Sequence, residues 1–303
     1  NFQYNKILSI LILTFIYIFC QIILFKFKNS SVFFKCLHKI LCEGVTMWEF
    51  SINLKKENFD NASLIFNYLN STVKTFKGVL TEHEENGYVS ILVGVEDEYK
   101  ENIKSMISSC IVEIICNKYK WNFLNKKLNL PIQNDIGLLA FKKALLNFDK
   151  ETDRFIVKKN LVLEKDIFLE SFFYFKLTPL KNKWQELITL SNENRDYLVC
   201  KDSFIDLLKF LVDNLDIEED EISVIKEKNS YKILLDDKIQ YIENPLTEEQ
   251  IVSSVIDLSP QKINLYFDEN SQAITLLEKL FADRIVKSSL DNRVNNIKKI
   301  KLN

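Results

Sequence analysis

Lys118, Lys120, Lys126 and Lys127 interleave with Tyr119, Trp121 and Phe123 in one short stretch. Cations in that arrangement can meet phosphate oxygens while the rings stack on bases, which makes these lysines the candidate nucleic-acid contacts. Trp121, Leu124 and Leu128 also fall at helical core spacing, so the simpler expectation is a packed helix with its lysines on the wet face. His83 stands beside Glu82, Glu84 and Glu85, all metal-ligand types. Neighbouring residues alternate faces in a strand, and no second histidine is close, so a solvated turn is the better account. Asp216, Glu218, Glu219, Asp220 and Glu221 carry the charge of a cation site without the glycine and spacing of a calcium loop.

Other chemistries are not visible. No GxGxxG, Walker, GxSxG or HExxH pattern occurs, and the only histidines are His38 and His83, although general acid–base catalysis most often recruits histidine. The six cysteines form no CxxC pair. Cys110 and Cys116 lie roughly 240° apart around a helix and cannot jointly face one ion, so reduced, buried thiols are expected. The sequence assigns no catalytic residue, no metal and no cofactor.

These residues sit in a chain of 303, 47% apolar and 27% charged, with 5 glycines and 4 prolines. That is ordinary globular composition, short of the glycine that phosphate loops need. The net charge of −2 conceals segments of opposite sign: residues 118–183 carry 14 basic and 7 acidic side chains, and residues 184–283 carry 9 and 22. Attraction between the two segments within one fold requires no partner and is the simpler expectation.

Periodicity places a β-α-β-β-α unit over 47–117: a strand at 48–54, a helix from 58 to about 70, strands at 73–83 and 88–95, and a helix capped by Asp97. Asn86-Gly87 marks a tight hairpin turn between the two strands. Residues 118–215 read as helical throughout, with breaks at Pro131 and at the Asp149 to Asp153 cluster. Within them Thr178-Pro179 starts a helix carrying Leu180, Trp184, Leu187 and Ile188. A second helix, capped by Asp202 or Ser203, carries Phe204, Leu207, Leu208, Leu211, Val212 and Leu215, and the two are expected to pair as a hairpin. The region 216–290 is α/β: strands at 221–226 and 231–235, a helix opened by a Thr247/Gln250 capping box, a strand at 262–267, a helix through Ile274, Leu277 and Leu280, and a short strand at 284–286. A basic tail over 291–303 follows. The fold class is therefore α/β (α+β).

The block from Phe172 to Asn214 resembles the bacterial YtxC-like sporulation family. The resemblance rests on Phe173-Tyr174-Phe175-Lys176-Leu177 with Leu180 and Trp184, the Ser191 to Asn194 break, and Ser203 through Asp213. Weaker echoes run through Ile222 to Ile225, Ser259 to Ile263 and Phe281 to Val286. It implies a role in endospore formation and brings no established activity or site. The functional expectation is a cytoplasmic protein that binds another macromolecule, a protein first, instead of catalysing a reaction. The alternatives are a nucleic-acid-binding regulator using 118–183 and a membrane-anchored scaffold.

The last alternative depends on residues 7–25, an uncharged apolar run long enough for a transmembrane helix, with lysines after it that keep the body cytoplasmic. A rival reading is equally open. Glu43-Gly44-Val45-Thr46 before Met47 back-translates into a purine-rich ribosome-binding sequence, so that residues 1–46 would be translated upstream DNA and translation would start at Met47.

Overall fold

The computed structural model describes residues 46–128, 136–193, 201–227, 230–235, 238–241, 246–267 and 270–287. The hydrophobic segment 1–45, the break at Pro131, the Asn194 turn and the basic tail lie outside the described residues. Among the described residues no helix is long and apolar enough to cross a membrane.

The chain is a mixed α/β protein, with two sheets among the described residues. The first begins with β1 (Met47–Lys55), whose Trp48, Phe50, Ile52 and Leu54 alternate onto one buried face. Helix α1 (Phe59–Thr75) crosses that face on Ala62, Ile65, Leu69 and Val73. It ends where Lys77 takes φ 53° and Gly78 passes so close to the Gly94 backbone that a Cβ there would lie 2.8 Å from the Gly94 carbonyl oxygen. The strand expected from residue 73 therefore starts later, as β2 (Val79–Glu85), because Val73 belongs to the buried helix face. Asn86 and Gly87 turn with φ of 52° and 79° into β3 (Tyr88–Glu96), the positive angles that a primed hairpin turn needs. A 3₁₀ turn, Asp97–Tyr99, leads into α2 (Lys100–Ile114), and Asp97 makes no capping bond to it.

From α2 the rod continues unbroken through a π-helical turn, Ile115–Tyr119, into α3 (Lys120–Lys127), so the boundary expected at residue 117 falls inside a helix. Next come α4 (Ile136–Asn147) and α5 (Lys150–Asn160). Asp149 between them has φ 53°, so the break is at that residue and Asp153 lies within a helix. The region is not wholly helical. Asp166–Phe168 forms β4, parallel to β1, giving the order β2-β3-β1-β4. A single turn, Leu169–Ser171, and a second π-helical turn, Phe172–Lys176, then lead into α6 (Thr178–Glu193).

Helix α7 (Lys201–Asp213) precedes the second sheet. Strands β5 (Glu219–Glu227), β6 (Ser230–Leu235) and β7 (Lys238–Tyr241) form a meander. Then come α8 (Glu248–Leu258), β8 (Pro260–Tyr266), α9 (Gln272–Leu280) and β9 (Ile285–Lys287), in the sheet order β7-β6-β5-β8-β9. Thr247 and Gln250 form the expected capping box, and β7 is a strand the sequence pattern did not reveal.

Among the described residues the buried apolar side chains form two clusters. One joins the first sheet to α1, α2, Val157 and Trp184. The other joins the second sheet to α4, α7, α8 and α9. Trp184, Phe204, Leu208 and Leu211 are buried as expected, but their helices do not form the expected hairpin. Helix α6 lies on α3 and α5, whereas α7 lies on α4 and α9, where Phe204 meets Phe141 at 5.8 Å. Leu208 is wholly enclosed in the second cluster. Leu208→Ala is expected to cost about 2 to 5 kcal/mol in denaturant unfolding, as a buried large-to-small change that leaves a cavity.

Candidate functional site

Between the two clusters, α3, α5 and α6 bring four polar side chains together. Asp153, on the inner face of α5 one turn before Val157, has no exposed surface. Its Oδ2 accepts from Lys120 Nζ at 2.7 Å and from Trp184 Nε1 at 2.9 Å, and its Oδ1 accepts from Lys183 Nζ at 2.7 Å. Lys120 also donates to the Phe148 carbonyl at 3.0 Å and lies 5.9 Å from the centre of the Trp184 ring. Lys183 reaches solvent and pairs a second time, with Asp149. Burial lowers the pKa of the Lys120 ammonium, and the Asp153 charge opposes that shift. Lys120 and Asp153 are both enclosed, so neither can touch a substrate, and their role is to hold three helices and the end of a fourth.

This changes the standing of the basic stretch. Lys118, Lys126 and Lys127 are exposed, but Lys120 points inward, out of reach of any phosphate. Lys127 donates to Gln185 Oε1 at 2.6 Å and lies 4.2 Å over the Phe123 ring. Cys116, Lys120 and Leu124 recur at intervals of four and are all buried, so Lys120 continues a core stripe, and that spacing is the signal by which the sequence could have placed it inside. The basic and acidic segments do meet within the fold: Lys143 pairs with Asp257, and Lys150 and Arg154 pair with Glu218.

The remaining candidates resolve in the same way. His83 lies 3.4 Å from Glu85 on an exposed strand end, and among the described residues no group of three or more His, Cys, Asp or Glu could hold a metal. Glu221 accepts from Lys262 and Asn264. A cleft of about 480 Å³ lies there, lined by residues including Asp220, Glu221, Lys262, Asp283 and Arg284. It opens at the amino ends of the parallel strands β5, β8 and β9, whereas ligands of such sheets gather at the carboxyl ends. Cys110 and Cys116 are free and buried, and burial pushes both thiols up to about 12, far from a reactive thiolate.

A different surface stands out. The π-helical turn Phe172–Lys176 buries Phe172 and Phe173 but turns Tyr174 and Phe175 outward, 56% and 79% exposed. Lys181 donates to the Tyr174 carbonyl at 2.5 Å and lies near both the Phe173 and Tyr174 rings. The turn is π-helical, a geometry that recurs at functional sites. Comparison with known proteins gives no match to any family model, curated protein or solved structure.

Burial raises the pKa of Asp149, but hydrogen bonds from Lys183 and Thr152 outweigh it and hold the carboxyl below its ordinary value of 3.8. A carboxylate with a depressed folded pKa contributes stability above its unfolded pKa and loses it as pH falls through the folded one. Asn tolerates the positive φ at this position, so Asp149→Asn isolates the charge. The stability gap between wild type and Asp149→Asn, followed by urea unfolding across pH, is expected to be full at neutral pH and to close as pH falls below 3.8.

Proposed function

We propose that this chain acts in endospore formation, in the bacterial cytoplasm, by binding a protein partner and not by catalysing a reaction of its own. The process is suggested by the likeness of residues 172–214 to the YtxC-like sporulation family. The mode of action is supported chiefly by the outward pair Tyr174 and Phe175, which stands inside that same block. Large aromatic side chains held outward by a fixed turn are the typical anchors of protein interfaces, because each can bury a wide ring at little cost in rotamer freedom. Lys181, near the Tyr174 ring and the buried Phe173 ring, adds a cation of the kind that frames such anchors.

The nucleic-acid reading is weaker because several of its cations are engaged within the fold. Lys120 is enclosed by Asp153, Lys127 is bonded to Gln185, and Lys143, Lys150 and Arg154 face Asp257 and Glu218. The exposed remainder of 118–183 includes Lys118, Lys126, Lys158, Lys159, Lys165 and Lys176, of which the last four are scattered along the chain beyond the Lys118–Lys127 stretch. The membrane-scaffold reading depends on residues 7–25, which lie outside the described residues.

Phe175 is a surface residue, so Phe175→Ala is expected to leave the melting temperature within about 2 °C of wild type. Quantitative capture from sporulating cells should then show partner recovery falling at least about 10-fold, the size of a truncated hot spot. Equal recovery by wild type and Phe175→Ala, or recovery of nucleic acid that falls steeply with salt, contradicts the proposal.

A further inference from the structure

Helix α1 buries Ala62, Ile65, Leu69 and Val73 on the first sheet, and its opposite face points outward. That face carries Asp60, Leu64, Asn67, Tyr68, Ser71 and Lys74, all exposed. Leu64 and Tyr68, one turn apart at its middle, are 44% and 49% exposed. Residues 61–73 hold no charge, whereas the solvent face of a surface helix normally carries charged and polar residues throughout. Large side chains without charge at the centre, with charges at the margin, is the composition of an interface core and its rim.

The charges that do occur stand at the two ends. Asp60 lies in the first turn of α1 and Lys74 in the last, about 21 Å apart at a helical rise of about 1.5 Å per residue. The helix dipole accounts for those two placements but not for the uncharged stretch between them. Turned end for end, the face complements itself. An antiparallel copy of α1, related by a two-fold axis at Asn67, sets Asp60 against Lys74 of the copy and Lys74 against Asp60 of the copy. Leu64 then comes within one turn of Tyr68 of the copy. The two Asn67 amides meet on the axis, where each can donate and accept. A parallel copy would instead oppose like charges at both ends, which is unfavourable.

We propose that this face is the contact between two copies of this chain, paired antiparallel through α1. A two-fold contact uses the same patch on both chains and therefore needs a self-complementary one, and the end charges fix its direction. A contact confined to one helix face sits at the small end of specific interfaces, so the dimer is weak and forms as concentration rises. Phe175 lies outside this face, so the two-fold contact and the protein-binding reading stand or fall separately.

Sedimentation velocity of the full chain between about 1 µM and about 1 mM tests the contact. Wild type is expected to pass from monomer to dimer across that span. Asp60→Lys and Lys74→Asp each put like charges at both ends of the pair, and each should weaken the dimer at least about 10-fold. Mixed in equal amounts, the two variants bring opposite charges together again, and the wild-type dissociation constant should return. A folding fault in either variant cannot produce that rescue. A monomer across the whole span leaves the face to another occupant, a partner protein or another segment of this chain, and overturns the two-fold contact. A dimer indifferent to both reversals, or a mixture no tighter than its parts, overturns it as well.

Discussion

Asp153 carries its charge with no exposed surface, and its three donors come from two other helices, α3 and α6. Removing one partner of such a buried pair typically costs about 3 to 5 kcal/mol, because the charge left behind is still desolvated. The arrangement therefore accepts few alternatives. Helix α5 must present Asp153 inward, α6 must bring Lys183 and Trp184 together, and α3 must hold Lys120 against the Phe148 carbonyl at the end of α4. Trp184 belongs to the apolar cluster of the first sheet, whereas Ile188, one turn further along the same helix, belongs to that of the second. The ion network thus sits where two apolar clusters, each without direction of its own, are locked into one register.

Two π-helical turns lie near this junction among the described residues. A turn of this kind adds a residue to the helical repeat. In the first, Tyr119 is directed to Glu170 while Lys120, the next residue, is directed to Asp153. In the second, Phe172 and Phe173 enter the core while Tyr174 and Phe175 leave it. One junction therefore holds a fully satisfied carboxylate, Asp153, which fastens the helices, and a second, Glu170, bonded through one oxygen to Asn58 and Tyr119.

Much of the fold was legible in local patterns. The alternation of Trp48, Phe50, Ile52 and Leu54, the Asn86-Gly87 turn, the Thr247/Gln250 box and the stripe through Phe204, Leu208 and Leu211 each depend on neighbours in sequence. What depended on distant partners was missed. Residues 166–168 are too few to display a strand period and are extended because β1 offers its edge. The pairing of α6 with α5, instead of with α7, is set by Asp153 and not by stripe geometry, since either partner could cover an apolar stripe. Asp153 and Lys120 were the hardest residues to place, because a charged side chain reads as wet until its counterion is found. The spacing of Lys120 with Cys116 and Leu124 was the one clue. Tyr174 and Phe175 lie off the helical stripe of Leu169, Phe172 and Phe173, but an aromatic run reads as core throughout until that period is counted.

The central claim is that Asp153 couples helices belonging to both apolar clusters, and native-state hydrogen exchange of Asp153→Asn tests it most directly. The account predicts that amides of α2, around Ile107 and Ile111, and of α4, around Ala144 and Leu145, both exchange at least about 100-fold faster than in wild type, the counterpart of about 3 kcal/mol. Faster exchange confined to α5, with α2 and α4 protected as in wild type, would contradict it.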